Sequence, residues 1–332
     1  MASSLRTHLN LLIGLIISAA AVYLSLRKID FNALGASLRS VNYFYLLPAL
    51  GAQLSCFLLK GAGWRFLLLP AKKEIKLMAT VSVLVIGLMV NNLFPAKLGE
   101  LVRGYLMGEK EKLPKSLCLS TVAVEHLLDI LVLTIFLLAL LPSVTLPRWL
   151  RTGGIIIGFA ALGMIIMIFI LVRRQETFLR WTEKLLSHVP ERFRGRIQSV
   201  LFNIIQGTKV VTGRYILYAI AAIFWMWLMV FLTAYLVMTA CGLTLPIQAA
   251  VMVVIFVAFG KIIPSSPGAI GTYHYLVILV LMSFEVSKEV ALGYAIVMHA
   301  FAFLVEVSSG LAFLFAGNLS LFRITRRAEE AP

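Results

Sequence analysis

The stretch "NNLFPAKLGELVRGY", Asn91–Tyr105, decides how the whole chain has to be interpreted. It closes an apolar run that is long enough to lie in a membrane, yet it contains two amides, a proline, two glycines, one acid and two bases. Irregular backbone at membrane depth is tolerated only where protein buries it or water reaches it. The stretch therefore predicts a break in a membrane helix.

The composition of the chain is that of an integral membrane protein. Of its 332 residues, 61 % are hydrophobic and 14 % are charged, and the mean hydropathy is +0.95. Soluble domains are about half apolar and a quarter charged. The apolar runs are as long as bilayer-spanning helices, whereas membrane barrels show short alternating strands. We therefore predict an all-α polytopic membrane protein.

The formal net charge is +15, and most of the bases lie in loops between the apolar runs. This arrangement indicates contact with anionic lipid headgroups and not with nucleic acid. Cys56, Cys118 and Cys241 all lie in apolar segments, which predicts core residues and neither disulfides nor metal ligands. No cofactor and no metal are expected.

Nine apolar runs divide the chain into two membrane halves, and they lie near residues 9–26, 43–59, 77–95, 116–141, 153–172, 215–241, 247–263, 269–284 and 290–317. A basic segment at 173–214, with apolar residues at helical spacing, predicts an amphipathic cytoplasmic linker. We expect one transmembrane domain over 1–332, with halves at 1–172 and 215–318 and a cytoplasmic tail at 319–332.

The distribution of bases predicts the orientation of the chain. If segments 77–110 and 247–286 do not cross, about six spanning helices remain and 23 bases lie on the side of the termini against six on the other. By the positive-inside rule both termini are then cytoplasmic, in the cytoplasmic membrane. The two segments become re-entrant hairpins that enter from opposite faces, as in an inverted repeat. The alternative is that both are ordinary spanning helices with kinks.

The first break carries candidate headgroup ligands. Pro95 ends a helix and Gly99 permits a tight turn, which frees backbone amides for an anion. Asn91 and Asn92 offer neutral polar contacts. Arg103 is the predicted phosphate ligand, because its planar fork matches two oxygens.

The charges at this break have a second interpretation. Glu100 could pair with Lys97, with Arg103 or with a cationic headgroup. Together the three side chains could also form a salt-bridge cluster that only anchors the hairpin.

The segment "VEHLLD" places Glu125 and Asp129 on one helix face, roughly 13–20 Å from the cytoplasmic end at 1.5 Å per residue. Ionisable groups at that depth mark a pathway or a buried pair. The pair could also act as acid and base in an enzyme, or accept hydrogen bonds from the amides of the breaks. Two carboxylates so close predict that one holds its proton, unless a cation such as Arg103 or Lys261 lies between them.

The second break, "KIIPSSPGAIG", predicts another polar cradle of free amides and hydroxyls. His274 follows it, and Glu306 on the last apolar run could pair with Lys261 or Arg103. The predicted site residues of this break are Ser265, Ser266, Pro267, Gly268, Gly271 and His274.

Three stretches in order resemble the membrane domain of the lysylphosphatidylglycerol synthase/flippase family: "NNLFPAKLGELVRGYLMG", "LSTVAVEHLLDILVL" and "IIPSSPGAIGTYHYLVILVL". The resemblance covers the chain from about Leu9 to Asn318. It implies a polytopic helical fold whose best-understood members move a modified phospholipid across the cytoplasmic membrane. Related members are linked to polyprenyl-glycolipid and hopanoid pathways.

The resemblance assigns roles to Asn92, Pro95, Gly99, Glu100, Arg103, Glu125, Asp129, Pro267, Gly268 and Gly271. The chain departs from the family at His126, where the family often has Arg, and at His274, where it often has Glu. Both changes imply a different headgroup preference. The soluble domain that attaches lysine to lipid is expected to be absent, because the chain ends at Pro332.

The leading interpretation is therefore a lipid translocator for a phosphate-bearing or anionic lipid, and not an enzyme. The alternatives are a membrane-embedded lipid-modifying enzyme that uses Glu125 and Asp129, and a non-catalytic partner that holds lipid for a synthase or glycosyltransferase. The chain contains no P-loop signature, which argues against ATP-driven movement.

Overall fold

The structure is a computed structural model that describes residues 16–94, 97–142, 144, 148–173, 214–261, 266–317, 319–320 and 325. No β-strand occurs among these residues. The helices are α1 (Ile16–Leu26), α2 (Phe31–Arg39), α3 (Leu46–Leu68), α4 (Leu77–Leu93), α5 (Leu98–Glu111), α6 (Lys115–Leu140), α7 (Arg148–Arg173), α8 (Arg214–Ala240), α9 (Ile247–Gly260), α10 (Thr272–Met282) and α11 (Lys288–Ala316). Short 3-10 turns precede α3 (Tyr43–Tyr45) and α10 (Pro267–Ala269). The predicted all-α class is confirmed.

Within the described part of the chain, four helical stretches are long and apolar enough to cross a membrane. They are Tyr43–Leu68, Lys115–Leu140, Arg214–Ala240 and Lys288–Ala316. A bilayer core of about 30 Å needs roughly 20 helical residues, and each stretch exceeds that length. The protein is therefore a multi-pass membrane protein. The predicted linker at 173–214 lies outside the described residues, apart from its two end residues.

Two pairs of shorter helices lie at the predicted breaks. Helices α4 and α5 have 17 and 14 residues and pack against each other, and α9 and α10 have 14 and 11 residues and do the same. At 1.5 Å per residue none of the four reaches about 30 Å, so each is short for a full crossing. This favours helical hairpins over kinked spans, while the re-entrant topology itself stays a prediction.

The tips of the two hairpins meet. Helix α4 contacts the 3-10 turn Pro267–Ala269. A Cβ atom added to Gly268 would lie 3.7 Å from the carbonyl oxygen of Asn92. Helix α1 covers the second tip, where the Ser266 N–H donates to Ser18 Oγ at 2.8 Å. Gly271 has φ +92° and passes so close to Ser18 that a side chain there would strike its carbonyl oxygen. Pro95 and Ser265 lie outside the described residues.

The two predicted membrane halves are packed into each other. Helix α3 packs along α8, and α4 packs along α11, so neighbours come from opposite halves. At the far end of the bundle, Lys288 Nζ donates to the carbonyls of Leu24 and Arg27 at 2.8 and 2.6 Å and thereby closes the end of α1. The interior between the hairpins is therefore built by both halves.

We expect opposite accessibility for the outer ends of the two hairpins. Lys112 and Ser287 are exposed, so Lys112→Cys and Ser287→Cys should be open to labelling. The native cysteines are buried and should give little background labelling: Cys56, Cys118 and Cys241. A membrane-impermeant maleimide added to intact cells should label Ser287→Cys and spare Lys112→Cys, as the positive-inside rule requires. Labelling of both variants from the same side would contradict the opposed hairpins.

Candidate functional site

The first break holds its own backbone together with side chains. The Gly99 N–H donates to Asn91 Oδ1 at 2.8 Å, and the Glu100 N–H donates to the Lys97 carbonyl at 3.0 Å. Lys97 itself adopts the left-handed conformation that reverses the chain. Two of the amides that the sequence analysis assigned to an anion are therefore bonded within the protein.

Arg103 lies at the centre of a buried ion cluster, with only 1 % of its surface exposed. Its Nη2 is 2.6 Å from Glu125 Oε2, and its Nη1 is 3.1 Å from Glu100 Oε2. The guanidinium also stacks over the Trp64 ring, 4.4 Å from its centroid. Room for the arginine comes from Gly87, where a Cβ would lie 2.5 Å from Arg103 Cγ. Helix α5 thus approaches α4 closely enough to bury a charge.

Lys60 is the second cation of this cluster, although the distribution of bases counts it among the 23 on the side of the termini. Its Nζ lies 2.7 Å from Asp129 Oδ2 and 3.2 Å from Glu125 Oε1. The predicted apolar run stops at residue 59, but α3 continues to Leu68 and carries Lys60 into the interior. Removing Lys60 and Arg103 from the cytoplasmic count lowers it from 23 to 21 against six. The predicted asymmetry therefore persists.

The cation between the two carboxylates of α6 is thus Lys60 and not Lys261. Glu125 is fully buried and Asp129 is 7 % exposed, so their mutual repulsion needs such a partner. Glu125 Oε1 is within ion-pair distance of Lys60 but is not aligned for a hydrogen bond. The ion pair does not require that alignment, because Coulomb attraction depends weakly on angle.

Neutral and titratable side chains complete the cluster. Asn91 Nδ2 donates to Glu100 Oε1 at 3.0 Å, and Trp227 Nε1 donates to Asp129 Oδ1 at 3.0 Å. His126 bridges two helices, with Nε2 3.3 Å from Glu100 Oε2 and Nδ1 3.7 Å from Asp129 Oδ2. Counted over these described residues, two permanent cations face three carboxylates, and a proton on His126 would balance them. Both permanent cations of the cluster are therefore already paired with carboxylates.

The phosphate role of Arg103 stays a prediction, and the structure sets a condition for it. Both terminal nitrogens of the guanidinium are taken by carboxylates, while its Nε has no hydrogen-bond partner. A phosphate that binds through both terminal nitrogens would therefore compete with the two carboxylates. Glu100 is the more easily displaced of the two, because it is partly exposed and Asn91 and His126 can hold it.

A second polar group lies where the hairpin tips meet. Asn92 Nδ2 donates to Glu306 Oε2 at 2.5 Å, so the predicted pairing of Glu306 with Lys261 or Arg103 is replaced by an amide contact. His274 accepts from the N–H of Gly271 at 3.4 Å, and its ring lies 5.0 Å from that of His299. The tip thus joins residues of α4, α10 and α11.

Three contributors were missed in the sequence, Lys60, Trp64 and Trp227, and His126 was singled out only as a departure from the family. Lys60 and Trp64 had a signal, because an ionisable residue and a glycine-rich step inside "LLKGAGWRF" are unusual within an apolar run. Trp227 had none, since one tryptophan in "FWMWLMVF" resembles its neighbours. Among the described residues, no group of three or more His, Cys, Asp or Glu side chains could hold a metal ion.

The amino-acid sequence of this chain is similar to those of known membrane proteins. A UPF0104 membrane protein of Methanothermobacter thermautotrophicus is 21 % identical over 291 residues, which are 83 % of this chain and 86 % of the relative. Another, from Methanocaldococcus jannaschii, is 28 % identical over 200 residues, 58 % of this chain and 78 % of the relative. No solved structure matches. The family model described as the lysylphosphatidylglycerol synthase TM region matches residues 11–310, nearly the whole chain, and the chain belongs to this family of membrane proteins.

Proposed function

We propose that this protein moves a phosphate-bearing lipid across the cytoplasmic membrane, with both of its termini on the cytoplasmic side. In this proposal the headgroup passes along the meeting hairpin tips while the acyl or polyprenyl tails stay in the bilayer. Desolvation of the headgroup is the main barrier to such movement. Polar groups fixed in the interior lower that barrier by replacing water.

The buried ion cluster is the observation that supports this proposal most strongly. Arg103, Glu125 and Asp129 are at most 7 % exposed, and the two carboxylates lie in the apolar, membrane-length helix α6. Buried ion pairs contribute little net stability, because desolvation offsets the attraction. Ionisable groups within membrane segments are therefore a functional hypothesis by default. A chain that needed only to fold could pack apolar side chains here.

Exchange of partners at Arg103 is the mechanism we propose for headgroup binding. A lipid phosphate would replace Glu100 on the Arg103 guanidinium, and Glu100 would keep Asn91 and His126 as partners. Glu125 would stay in place, because it is fully buried and also lies 3.2 Å from Lys60. The arriving phosphate would add negative charge to the cluster, and a proton on His126 would partly offset it.

We expect Arg103→Lys to slow lipid movement about tenfold while the protein stays folded. Lysine keeps the charge but loses the two-pronged contact, and hydrogen bonds to charged groups contribute about 1.5–3 kcal/mol. The measurement is movement of a labelled lipid in liposomes, with the probe chosen from lipidomics of the purified protein. Melting temperature and gel-filtration profile check the fold. The matched control is Arg39→Lys at an exposed position of α2.

Three results would contradict the proposal. The first is full transport by a folded Arg103→Ala variant, which would remove the phosphate role. The second is chemical conversion of the labelled lipid without movement, which would favour the membrane-embedded enzyme. Wild-type protein that retains lipid but neither moves nor converts it would favour a lipid-holding partner of a synthase or glycosyltransferase.

A further inference from the structure

A separate apolar groove lies at the end of the α4–α5 hairpin that is remote from its tip. The start of α4, the end of α5 and the end of α11 enclose a cavity of about 520 Å³, within the range of about 300–1,000 Å³ typical of small-molecule sites. Its apolar lining consists of Met78, Val83, Ile86, Leu106, Phe313 and Leu319. None of these residues belongs to the ion cluster.

The polar rim of this groove carries a cation whose charge is not neutralised by its contact. Lys110 Nζ donates to Ser82 Oγ at 2.9 Å, and both residues line the groove. Of the neighbouring glutamates, Glu109 pairs with Lys115 at 3.1 Å and Glu111 pairs with Lys72 at 2.6 Å. A hydroxyl partner leaves the ammonium free to bind an anion as well.

The segments around this rim are basic as a whole. Residues 72–76 and 109–115 contain six lysines against three glutamates. Basic residues at a membrane surface each contribute about 1 kcal/mol of attraction to anionic lipid. The charge of the rim therefore complements an anionic headgroup, and the lining below it complements a hydrocarbon chain.

We propose that this groove binds one anionic phospholipid, with its phosphate on Lys110 and Ser82 and an acyl chain along the apolar lining. The site is distinct from the ion cluster. Ser82 and Asn92 are ten residues apart on α4, or about 15 Å at 1.5 Å per residue. Lipid binding here does not depend on the proposed transport, and the two can be tested separately.

Native mass spectrometry of the full chain from nanodiscs of phosphatidylglycerol and phosphatidylcholine tests this site. Lys110→Ala should weaken retention of one phosphatidylglycerol about fivefold, the factor that corresponds to one basic residue. Lys112→Ala, at an exposed position two residues further along, is the matched control and should weaken retention clearly less, because Lys112 does not line the groove. Ala316→Trp, on the groove wall at an exposed position, should exclude the lipid by filling the space.

Several outcomes would overturn the site. Equal loss in Lys110→Ala and Lys112→Ala would mean diffuse surface attraction, and unchanged retention in Ala316→Trp would place the lipid elsewhere. If the wild-type protein retains no phosphatidylglycerol, the lipid site is wrong, and the occupant of the groove is then the C-terminal residues or a second copy of the chain. Retention at this site without lipid movement in liposomes would overturn only the transport proposal.

Discussion

Lys60→Met is expected to destabilise the protein strongly. The variant leaves Glu125 and Asp129 facing each other in the interior without the cation that lies 3.2 and 2.7 Å from them. Removing one partner of a buried ion pair costs about 3–5 kcal/mol, because the remaining charge is uncompensated. At roughly 2 °C per kcal/mol for a chain of this size, the melting temperature should fall by about 6–10 °C.

A second substitution separates this electrostatic cause from a loss of packing. Lys60→Met combined with Asp129→Asn removes one of the two negative charges that face each other. The amide oxygen of the new side chain can still accept a hydrogen bond from Trp227 Nε1. The double variant should be more stable than Lys60→Met alone, and a double-mutant cycle measures the coupling between the two positions. Lys73→Met, at an exposed position, is the control. An unchanged melting temperature in Lys60→Met would show that the cluster does not need this cation.

Gly99→Ala should disrupt the first hairpin by steric contact alone. A Cβ at Gly99 would overlap the carbonyl oxygen of Gly87 and would lie 2.5 Å from Asn91 Oδ1. The obstacle at Gly87 is backbone on the facing helix, so α4 and α5 must move apart. Overpacking of this kind costs about 1–3 kcal/mol, and the loss of the hydrogen bond between Gly99 and Asn91 adds about 1 kcal/mol.

The consequence for function should exceed the consequence for stability. Separation of α4 from α5 withdraws Arg103 from Glu125, and hydrogen-bond geometry at 2.6 Å tolerates little displacement. We expect lipid movement to be lost in liposomes even where the variant can still be purified. Gly51→Ala on α3 is the matched control, because no heavy atom lies within 4 Å of its added Cβ. It should melt at or slightly above the wild-type temperature, since alanine favours a helix. Equal behaviour of the two alanine variants would contradict the close contact.

The predictions from local pattern were largely accurate at the level of elements. Helices were expected near 116–141 and 290–317 and lie at Lys115–Leu140 and Lys288–Ala316. The second break was expected from its prolines and glycines, and α9 does end at Gly260 before it. Such features follow from hydropathy and from backbone chemistry, which act over a few residues. Two exceptions are α2, which no apolar run predicted, and α3, which continues beyond the predicted end of its run at residue 59.

The partners of each charge could not be derived in the same way. Lys60 and Asp129 are 69 residues apart, and Asn92 and Glu306 are 214 residues apart. Each candidate cation satisfied the same electrostatic requirement in the sequence, so Lys261 was as plausible a neighbour of the carboxylates as Lys60.

The amino-acid sequence alone determined that this is a helical membrane protein with two interrupted segments and with carboxylates inside an apolar helix. Composition and periodicity suffice for this, because they reflect whether a segment is surrounded by lipid, protein or water. Only the tertiary structure decided which charges meet. That choice depends on how closely helices approach, and the approach is governed by contacts such as Gly87 against Gly99. The absence of a side chain at those positions lets α5 bury Arg103 beside Glu125, an outcome that no local pattern encodes.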